Sequence, residues 1–107
     1  MTKFYQNGKL KSVKLAGEEK TAAFAGKHKD LKNALKRWME TVGAADWKNP
    51  ADMKKTFGSA DMVGDQTVFN VGGNKCRLIA LVHYRSKRVL VQHVLTHTEY
   101  DKGGWKE

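Results

Sequence analysis

Residues that build disulfide frameworks and zinc sites are scarce in this sequence. Cysteine occurs once, at Cys76, so no internal disulfide can form and no cysteine pair is available for zinc. Because Cys76 lies within an apolar run, we expect it to be a small buried hydrophobic residue. No apolar run approaches the roughly 18–20 residues of a membrane span, and the N-terminus lacks a signal-peptide core. We therefore expect a cytoplasmic protein with no membrane association, no metal and no cofactor.

Acidic residues are few relative to basic ones. Eleven Asp and Glu stand against 20 Lys and Arg, which gives a net charge of +9. In so small a chain this bias favours a polyanionic partner such as RNA, DNA, an acidic protein or a membrane surface. A basic protein without such a partner is the alternative. The length of 107 residues predicts a single domain spanning the whole chain, 1–107.

Signals for helices occupy the first half of the chain. Residues 18–26 predict a short Ala-rich helix. Residues 30–42 predict the clearest helix, capped by Asp30 and carrying one apolar stripe. Asn49, Pro50 and Asp52 occupy the N-cap, N1 and N3 positions of a third helix that ends near residue 57.

The remaining segments of the first half read as extended chain or loop. Residues 10–15 alternate apolar and polar side chains and predict a first strand. Residues 58–64 carry no strong signal and predict a loop.

Three β-rich runs follow, at residues 67–71, 76–84 and 88–95. Gly72, Gly73 and Asn74 can close a first hairpin, and residues 85–87 a second. The helices are segregated from this antiparallel β-meander, so we expect an α+β fold in which the N-terminal strand joins the meander and the helices pack on it. The middle run is apolar at its odd and at its even positions, which predicts a strand covered on both faces. The helices cover one face, and the sequence does not show what covers the other.

A polar cluster at residues 96–101 follows the last strand, and Arg77 begins the middle one. In an antiparallel pair the start of one strand lies beside the end of the next, so Arg77 should approach this cluster. A hairpin loop with an even number of residues places Arg77 on the face of Gln92 and Val94. An odd loop places it with His93 and His97. The sequence leaves both registers open.

His97, Arg77 and Tyr100 are residue types that suit RNA cleavage without a metal. A base must take the 2′-hydroxyl proton, a cation must stabilise the transition state, and an acid must protonate the leaving 5′-oxygen. Histidine titrates near neutrality, arginine can hold two phosphate oxygens, and tyrosine can donate a proton or stack on a base. Taken alone the cluster is weak evidence, because such residues near a strand end are more often incidental.

The segment FNVGGNKCRLIALV followed by THTEYDK resembles the HigB-type toxins of bacterial type II toxin–antitoxin modules, which are RelE-like mRNA interferases. Residues 30–38 and 49–54, with Trp47 just before, are also similar, and the likeness covers about residues 24–102. The resemblance implies a RelE-like α+β fold and cleavage of mRNA at the ribosome. It also implies a cognate helix-turn-helix antitoxin of the HigA type.

The resemblance also implies roles for individual residues. Arg77 matches a strand-start arginine that faces the scissile phosphate, His97 falls where relatives place a basic residue, and Tyr100 matches the aromatic residue just beyond. These three are the expected catalytic residues. Five basic residues are expected to contact RNA: Lys54, Lys55, Lys75, Arg88 and His93.

Two departures from the family pattern accompany these matches. Gln92 stands where many HigB-type sequences have arginine, with His93 beside it, and Val68 and Asn70 occupy the region where RelE has lysines. The expected function is a metal-free endoribonuclease that cuts mRNA and inhibits translation and growth. A non-catalytic RNA- or ribosome-binding module of the same fold is the alternative, which Gln92 favours. A basic subunit that only binds an acidic protein is a third possibility.

Overall fold

A five-stranded sheet with helices on one face forms the framework of the protein. The computed structural model describes residues 13–73 and 75–106. In chain order the elements are β1 Lys14–Ala16, α1 Glu18–Lys27, a 3-10 turn Lys29–Leu31, α2 Lys32–Gly43, α3 Pro50–Thr56, β2 Asp61–Val63, β3 Gln66–Val71, β4 Cys76–His83, β5 Arg88–Thr96, α4 His97–Lys102 and a second 3-10 turn Gly104–Lys106. The expected α+β class is confirmed. No helix among the described residues is long and apolar enough to cross a membrane.

The strand order across the sheet is β1-β5-β4-β3-β2. The pairs β2–β3, β3–β4 and β4–β5 are antiparallel, so the predicted meander is confirmed, with strand ends shifted by at most one residue. Gly72 and Gly73 both take positive φ in the first hairpin, while Asn74 lies outside the described residues. The added N-terminal strand is β1, which pairs in parallel with the first residues of β5. Residues 10–12 of the predicted strand lie outside the described part of the chain.

Strand β2 corrects the loop predicted over residues 58–64. Val63 pairs with Gln66 across a two-residue loop, in which Gly64 has a φ of 63°. A Gly at the first position of a two-residue loop supports a tight hairpin. The strand is short, and Met62 is 44% exposed, so it lacks the apolar alternation by which strands are read from sequence. The strand forms because its backbone pairs with the edge of β3.

Helix α2 begins later than predicted, and Asp30 does not cap it. Residues Lys29–Leu31 form a 3-10 turn, and the N-cap residue is Leu31, with no side-chain cap. The Asp30 carboxylate instead lies 3.6 Å from the ammonium of Lys75. The long-range ion pair has therefore replaced the local cap.

Helices α1 and α3 follow their sequence signals. Helix α1 ends one residue beyond the predicted end. Asn49 caps α3 by accepting a hydrogen bond from the backbone N–H of Asp52 at 2.9 Å, with Pro50 at the first helical position.

The main core fills the space between the helices and the sheet. The predicted stripe of α2 is buried there, with Leu35, Trp38 and Val42 packed among side chains of β3, β4 and β5. Cys76 is fully buried in the same core, as predicted, and burial raises the pKa of its thiol to about 12. The thiol is therefore neutral and inert at physiological pH.

A smaller cluster covers the opposite face of the sheet. Ile79 of β4 and Val68 of β3 pack there against Trp105, which follows α4. Leu95 and Tyr100 add partly buried apolar surface. The C-terminal segment is thus the cover that the apolar middle strand requires on its second face.

Candidate active site

The register between β4 and β5 decides which face of the sheet carries Arg77. The hairpin loop contains four residues, 84–87, which is an even number. A continuous ladder from that loop would place Arg77 opposite Val94. Arg77 instead pairs with Leu95. The loop has an even number of residues, yet Arg77 lies on the face that was expected for a loop with an odd number.

A β-bulge in β5 causes this change of face. Ala80 pairs with Val91, and Ile79 pairs with His93, so Gln92 is an extra residue between them. One extra residue moves every later side chain of the strand to the other face. His93 therefore lies on the same face of the sheet as Arg77. The number of residues in the loop alone therefore predicts the wrong face for Arg77.

The polar cluster after β5 is a short helix, α4, rather than an irregular end. The Thr96 hydroxyl accepts a hydrogen bond from the Glu99 N–H at 3.2 Å, and the Glu99 carboxylate accepts one from the Thr96 N–H at 2.9 Å. This reciprocal pair is a capping box. Gly103, with a φ of 78°, ends the helix.

The N-terminus of α4 is also attached to the start of β4. The backbone N–H of His97 donates to the carbonyl of Lys75 at 3.3 Å. This bond brings His97 beside Arg77, although 20 positions separate them in sequence.

Arg77, His97 and Asp101 form a line of polar contacts. Arg77 Nη2 lies 3.4 Å from His97 Nδ1, and His97 Nε2 lies 3.3 Å from the Asp101 carboxylate. A guanidinium only donates hydrogen bonds, so Nδ1 is the acceptor in this arrangement. The neutral ring then carries its proton on Nε2, facing Asp101. Both ring nitrogens are oriented by charged neighbours.

Tyr100 is held between Arg77 and Trp105. The Trp105 ring stacks on Tyr100 with a centroid separation of 5.1 Å and an interplanar angle of 15°. The guanidinium carbon of Arg77 lies over the same ring, 5.6 Å from its centroid. Because Trp105 occupies one face, Arg77 must occupy the other. The hydroxyl and the ring edge of Tyr100 are what this arrangement leaves for a substrate, and stacking on a base is blocked.

Trp105 also contacts the backbone of Tyr100. Its indole N–H donates to the Tyr100 carbonyl at 3.1 Å, and the side chain is only 7% exposed. The C-terminal turn therefore fixes the end of α4 against the sheet.

Glu99 is a structural carboxylate. The hydrogen bond from the Thr96 backbone N–H holds the pKa of Glu99 below its ordinary value of 4.5. The group is therefore ionised at neutral pH and is engaged in the cap, so we do not assign it a proton-transfer role.

The expected RNA contacts are dispersed over the surface. His93 lies on the face of Arg77, and the backbone of Lys75 holds His97 while its side chain reaches Asp30. Lys54 donates to the Ala60 carbonyl at 2.8 Å. Lys55 lies 3.8 Å from Asp52.

Arg88 lies apart from the candidate active site. It begins β5, whereas the site lies at the end of that strand. Eight residues at about 3.4 Å each separate Arg88 from Thr96 by about 27 Å. The structure therefore brings together the three expected catalytic residues, with His93 and Lys75 nearby, and leaves Arg88 at the far end.

Asp101 belongs to the polar cluster noted in the sequence but was assigned no role, and Trp105 was not predicted as part of the site. The Thr96–Glu99 spacing is the sequence signature of a capping box and could have revealed α4. A helix at this point puts His97 and Asp101 on one face, four residues apart. Trp105 gives no comparable signal, because its packing on the sheet is non-local.

The assembled groups supply a fixed cation, an imidazole and a phenol at one location. This is the set that acid–base cleavage of a phosphodiester requires. Within residues 13–73 and 75–106, no group of three or more His, Cys, Asp or Glu side chains is placed to hold a metal ion.

Comparison with known proteins identifies the family. The sequence profile of the HigB toxin family, described as the RelE-like toxic component of a toxin–antitoxin system, matches residues 31–103. The chain is 35% identical over 80 residues to the mRNA interferase toxin HigB of Escherichia coli (strain K12), covering 72% of this chain and 77% of that protein. The same figures hold for mRNA interferase HigB of Shigella flexneri. The resemblance seen in the sequence is thereby confirmed, and the chain belongs to the HigB family of RelE-like toxins of toxin–antitoxin systems.

Proposed function

We propose that this chain is an mRNA interferase, an endoribonuclease that cuts mRNA and thereby inhibits translation and growth. The observation that carries the proposal is the meeting of Arg77, His97 and Tyr100 where β4 begins and α4 starts. The names of the relatives, mRNA interferase HigB, support the same activity.

The proposed reaction is attack of a ribose 2′-oxygen on the adjacent phosphorus. The bond from the 2′-oxygen to phosphorus forms, the bond to the 5′-oxygen breaks, and a 2′,3′-cyclic phosphate remains. The 2′-hydroxyl proton passes to a base, and the leaving 5′-oxygen receives a proton from an acid. The atoms and electrons of this reaction balance without an oxidant, a reductant or a metal.

Arg77 is the group that we assign to the phosphate. Arg77 is half-buried, and its guanidinium faces His97 and Tyr100, so it is held in place before substrate arrives. A preorganised cation stabilises the charge that develops on the phosphate oxygens. Binding phosphate would draw the Arg77 donors away from His97 Nδ1.

His97 is the group that we assign to proton transfer. Release of Nδ1 by Arg77 leaves a lone pair that can accept the 2′-hydroxyl proton. The imidazolium formed in this step is stabilised by Asp101, which lies 3.3 Å from Nε2. Asp101 is therefore a positioning residue, acting through His97.

Tyr100 contributes its hydroxyl. The ring faces are covered by Trp105 and Arg77, so we assign the phenol to donation toward the leaving oxygen or a phosphate oxygen. The Tyr100→Phe substitution keeps the packing of the ring and removes only this donor.

The partners follow from family and charge. The family has an antitoxin partner, and we propose a HigA-like helix-turn-helix protein that presents acidic residues to this chain, whose net charge is +9. We propose the translating ribosome in the cytoplasm as the place of cleavage. Lys75 and His93 are the nearest proposed RNA contacts, with Lys54, Lys55 and Arg88 as outlying phosphate contacts.

The test is incubation of the purified chain with ribosomes programmed with mRNA, followed by mapping of cut ends. Arg77→Ala should strongly reduce the cuts, whereas Arg85→Ala, which changes an exposed arginine in the β4–β5 loop, should retain them. Expression should also arrest bacterial growth, and co-expression of the antitoxin should restore it. Absence of both cuts and growth arrest would reject the proposal.

A non-catalytic RNA-binding module is the second candidate, and Gln92 is the feature that favours it. Gln92 stands where many HigB-type sequences carry arginine, and it occupies the β-bulge of β5. Ribosome binding without any cleavage would support this candidate.

A further inference from the structure

A cleft of about 340 Å³ opens beside the candidate active site, between α1 and the edge of β5. We call it the α1–β5 cleft. Strand β1 pairs with β5 only as far as Leu90. Beyond that point the edge of β5 faces α1 instead of a strand. The cleft has the volume of a small ligand site, for which roughly 300–1,000 Å³ is typical.

One face of α1 forms the helical wall of the cleft. Its lining positions follow the i, i+3, i+4, i+7 pattern of a single helical face, and they are Lys20, Ala23, Phe24 and Lys27, with His28 at the C-cap. The opposite wall is residues 92–95 of β5, and Glu99 of α4 closes one end.

The cleft is lined by two lysines and one carboxylate. Lys20 and Lys27 stand two turns apart, about 10.5 Å along the helix axis. Lys20 donates to the Gln92 carbonyl at 3.1 Å and so holds the bulge. Glu99 is the carboxylate that lines the cleft, and it is engaged in the cap of α4. Its charge is therefore partly offset by the Thr96 N–H, while Lys20 and Lys27 are both exposed.

His28 adds an aromatic surface to these charges. Its ring stacks on Phe24 with a centroid separation of 4.3 Å, which fixes its orientation, and it is only half-buried. A fixed aromatic ring beside lysines is the combination by which proteins bind single-stranded RNA.

The cleft borders the residues proposed for catalysis through two of its lining residues. Leu95 lines it and pairs with Arg77, and Glu99 lies on the same short helix as His97 and Tyr100. A strand with its scissile phosphate at Arg77 can therefore extend along β5 into the cleft.

We propose that the α1–β5 cleft is a nucleotide subsite, which binds a nucleotide of the RNA on one side of the cut. Lys20 and Lys27 contact backbone phosphates, and His28 stacks on a base. This inference rests on the proposed RNA-cleaving function. It adds binding residues on α1 and at its C-cap that lie outside the matched family segment of residues 31–103.

The test measures binding of a short RNA with a 2′-deoxy sugar at the mapped cut, which prevents cleavage. Lys20→Gln/Lys27→Gln should lower affinity about tenfold at low salt and reduce the log–log salt slope by about 1.4, since each lost phosphate contact counts about 0.7. Lys32→Gln/Lys36→Gln, which removes the same charge from α2, is the matched control and should change the slope much less. Lys27→Gln alone leaves the Lys20–Gln92 contact intact and should give about half the slope change.

Stacking is tested separately at His28. His28→Ala should weaken binding about tenfold, whereas His28→Phe keeps a ring on Phe24 and should retain affinity. Removing the nucleotides on one side of the cut should eliminate the effect of the cleft variants, and removing those on the other side should not. Equal effects with both truncated RNAs would overturn the inference.

The failures of the two proposals are distinguishable. If wild-type protein cuts mRNA but the cleft variants bind RNA as the control does, the subsite is wrong and the function stands. If wild-type protein neither binds nor cuts RNA, the proposed function fails and the subsite fails with it. If the variants lose affinity for an acidic antitoxin and keep it for RNA, the cleft binds protein and the inference is overturned.

Discussion

Trp105 offers a quantitative test of how the C-terminal turn supports the site. Its side chain is 7% exposed, packs against Val68 and Ile79, stacks on Tyr100, and donates to the Tyr100 carbonyl. Truncation of a buried Trp to Ala costs about 3–5 kcal/mol of folding free energy. The cluster that Trp105 joins has only three buried residues, so we expect Trp105→Ala to lie near the lower limit, about 3 kcal/mol.

A double-mutant cycle isolates the contact between the two rings. Trp105→Ala and Tyr100→Ala are measured singly and together by urea denaturation, followed by far-UV circular dichroism. An aromatic pair contributes about 0.5–1.5 kcal/mol beyond the area it buries. The double variant should therefore be destabilised by that much less than the sum of the single variants.

The same substitution has a functional readout. Loss of Trp105 leaves one face of Tyr100 open, so the support for the Tyr100 ring beneath Arg77 weakens. Cleavage should slow at saturating ribosome concentration while ribosome affinity changes little, and Trp105→Phe should restore most of the rate. A loss of less than about 1 kcal/mol in Trp105→Ala, with additive single effects, would refute the reasoning.

Three further predictions concern other parts of the chain. Cys76, whose thiol pKa is raised to about 12 by burial, should resist alkylation at pH 8 in the native protein and react once urea unfolds it; fast native labelling would contradict its burial. Glu99 has a lowered pKa, so its contribution to stability is present above pH 4.5 and is lost as pH falls through the folded pKa; Glu99→Gln should flatten this part of the urea-midpoint profile, and an unchanged profile would exclude the capping role. Lys54→Gln/Lys55→Gln should weaken ribosome binding and reduce its salt slope without moving the cut positions, and altered cut positions would count against a backbone-only role.

Local signals in the sequence predicted the elements that local chemistry determines. Asn49 and Pro50 fix the start of α3 through side-chain and φ preferences that act within a few residues. Residues dense in β-branched and aliphatic side chains produced β3, β4 and β5 with ends correct to one residue. The burial of Cys76 followed from its position in such a run.

Features that depend on distant partners could not be read in this way. Asp30 was expected to cap α2, but it pairs with Lys75, which is far along the sequence. The bulge at Gln92, whose carbonyl is held by Lys20 of α1, reverses the face that the even loop would give to Arg77. Trp105 packs on strands whose proximity exists only in the folded chain.

The candidate site was predicted in part for the same reason. The approach of Arg77 to the polar cluster follows from antiparallel pairing and was expected, whereas the sequence left open whether Arg77 and His97 share a face. Their contact at 3.4 Å decides this point. The role of Asp101 required knowledge that the polar cluster is a helix. The assignment of Arg77, His97 and Tyr100 as catalytic remains a prediction.

The most direct measurement is the single-turnover rate of mRNA cleavage on programmed ribosomes for wild type, Arg77→Ala, His97→Ala and Tyr100→Phe, with Arg85→Ala as control. Arg77→Ala should lose roughly 10²–10³-fold in rate and His97→Ala about 10²-fold or more, with Tyr100→Phe also reduced and ribosome binding retained in all. The wild-type cleavage rate should depend on pH because His97 accepts a proton, and this dependence should disappear in His97→Gln. Cleavage at the wild-type rate in all three variants, with ribosome binding intact, would show that the active site lies elsewhere in the molecule.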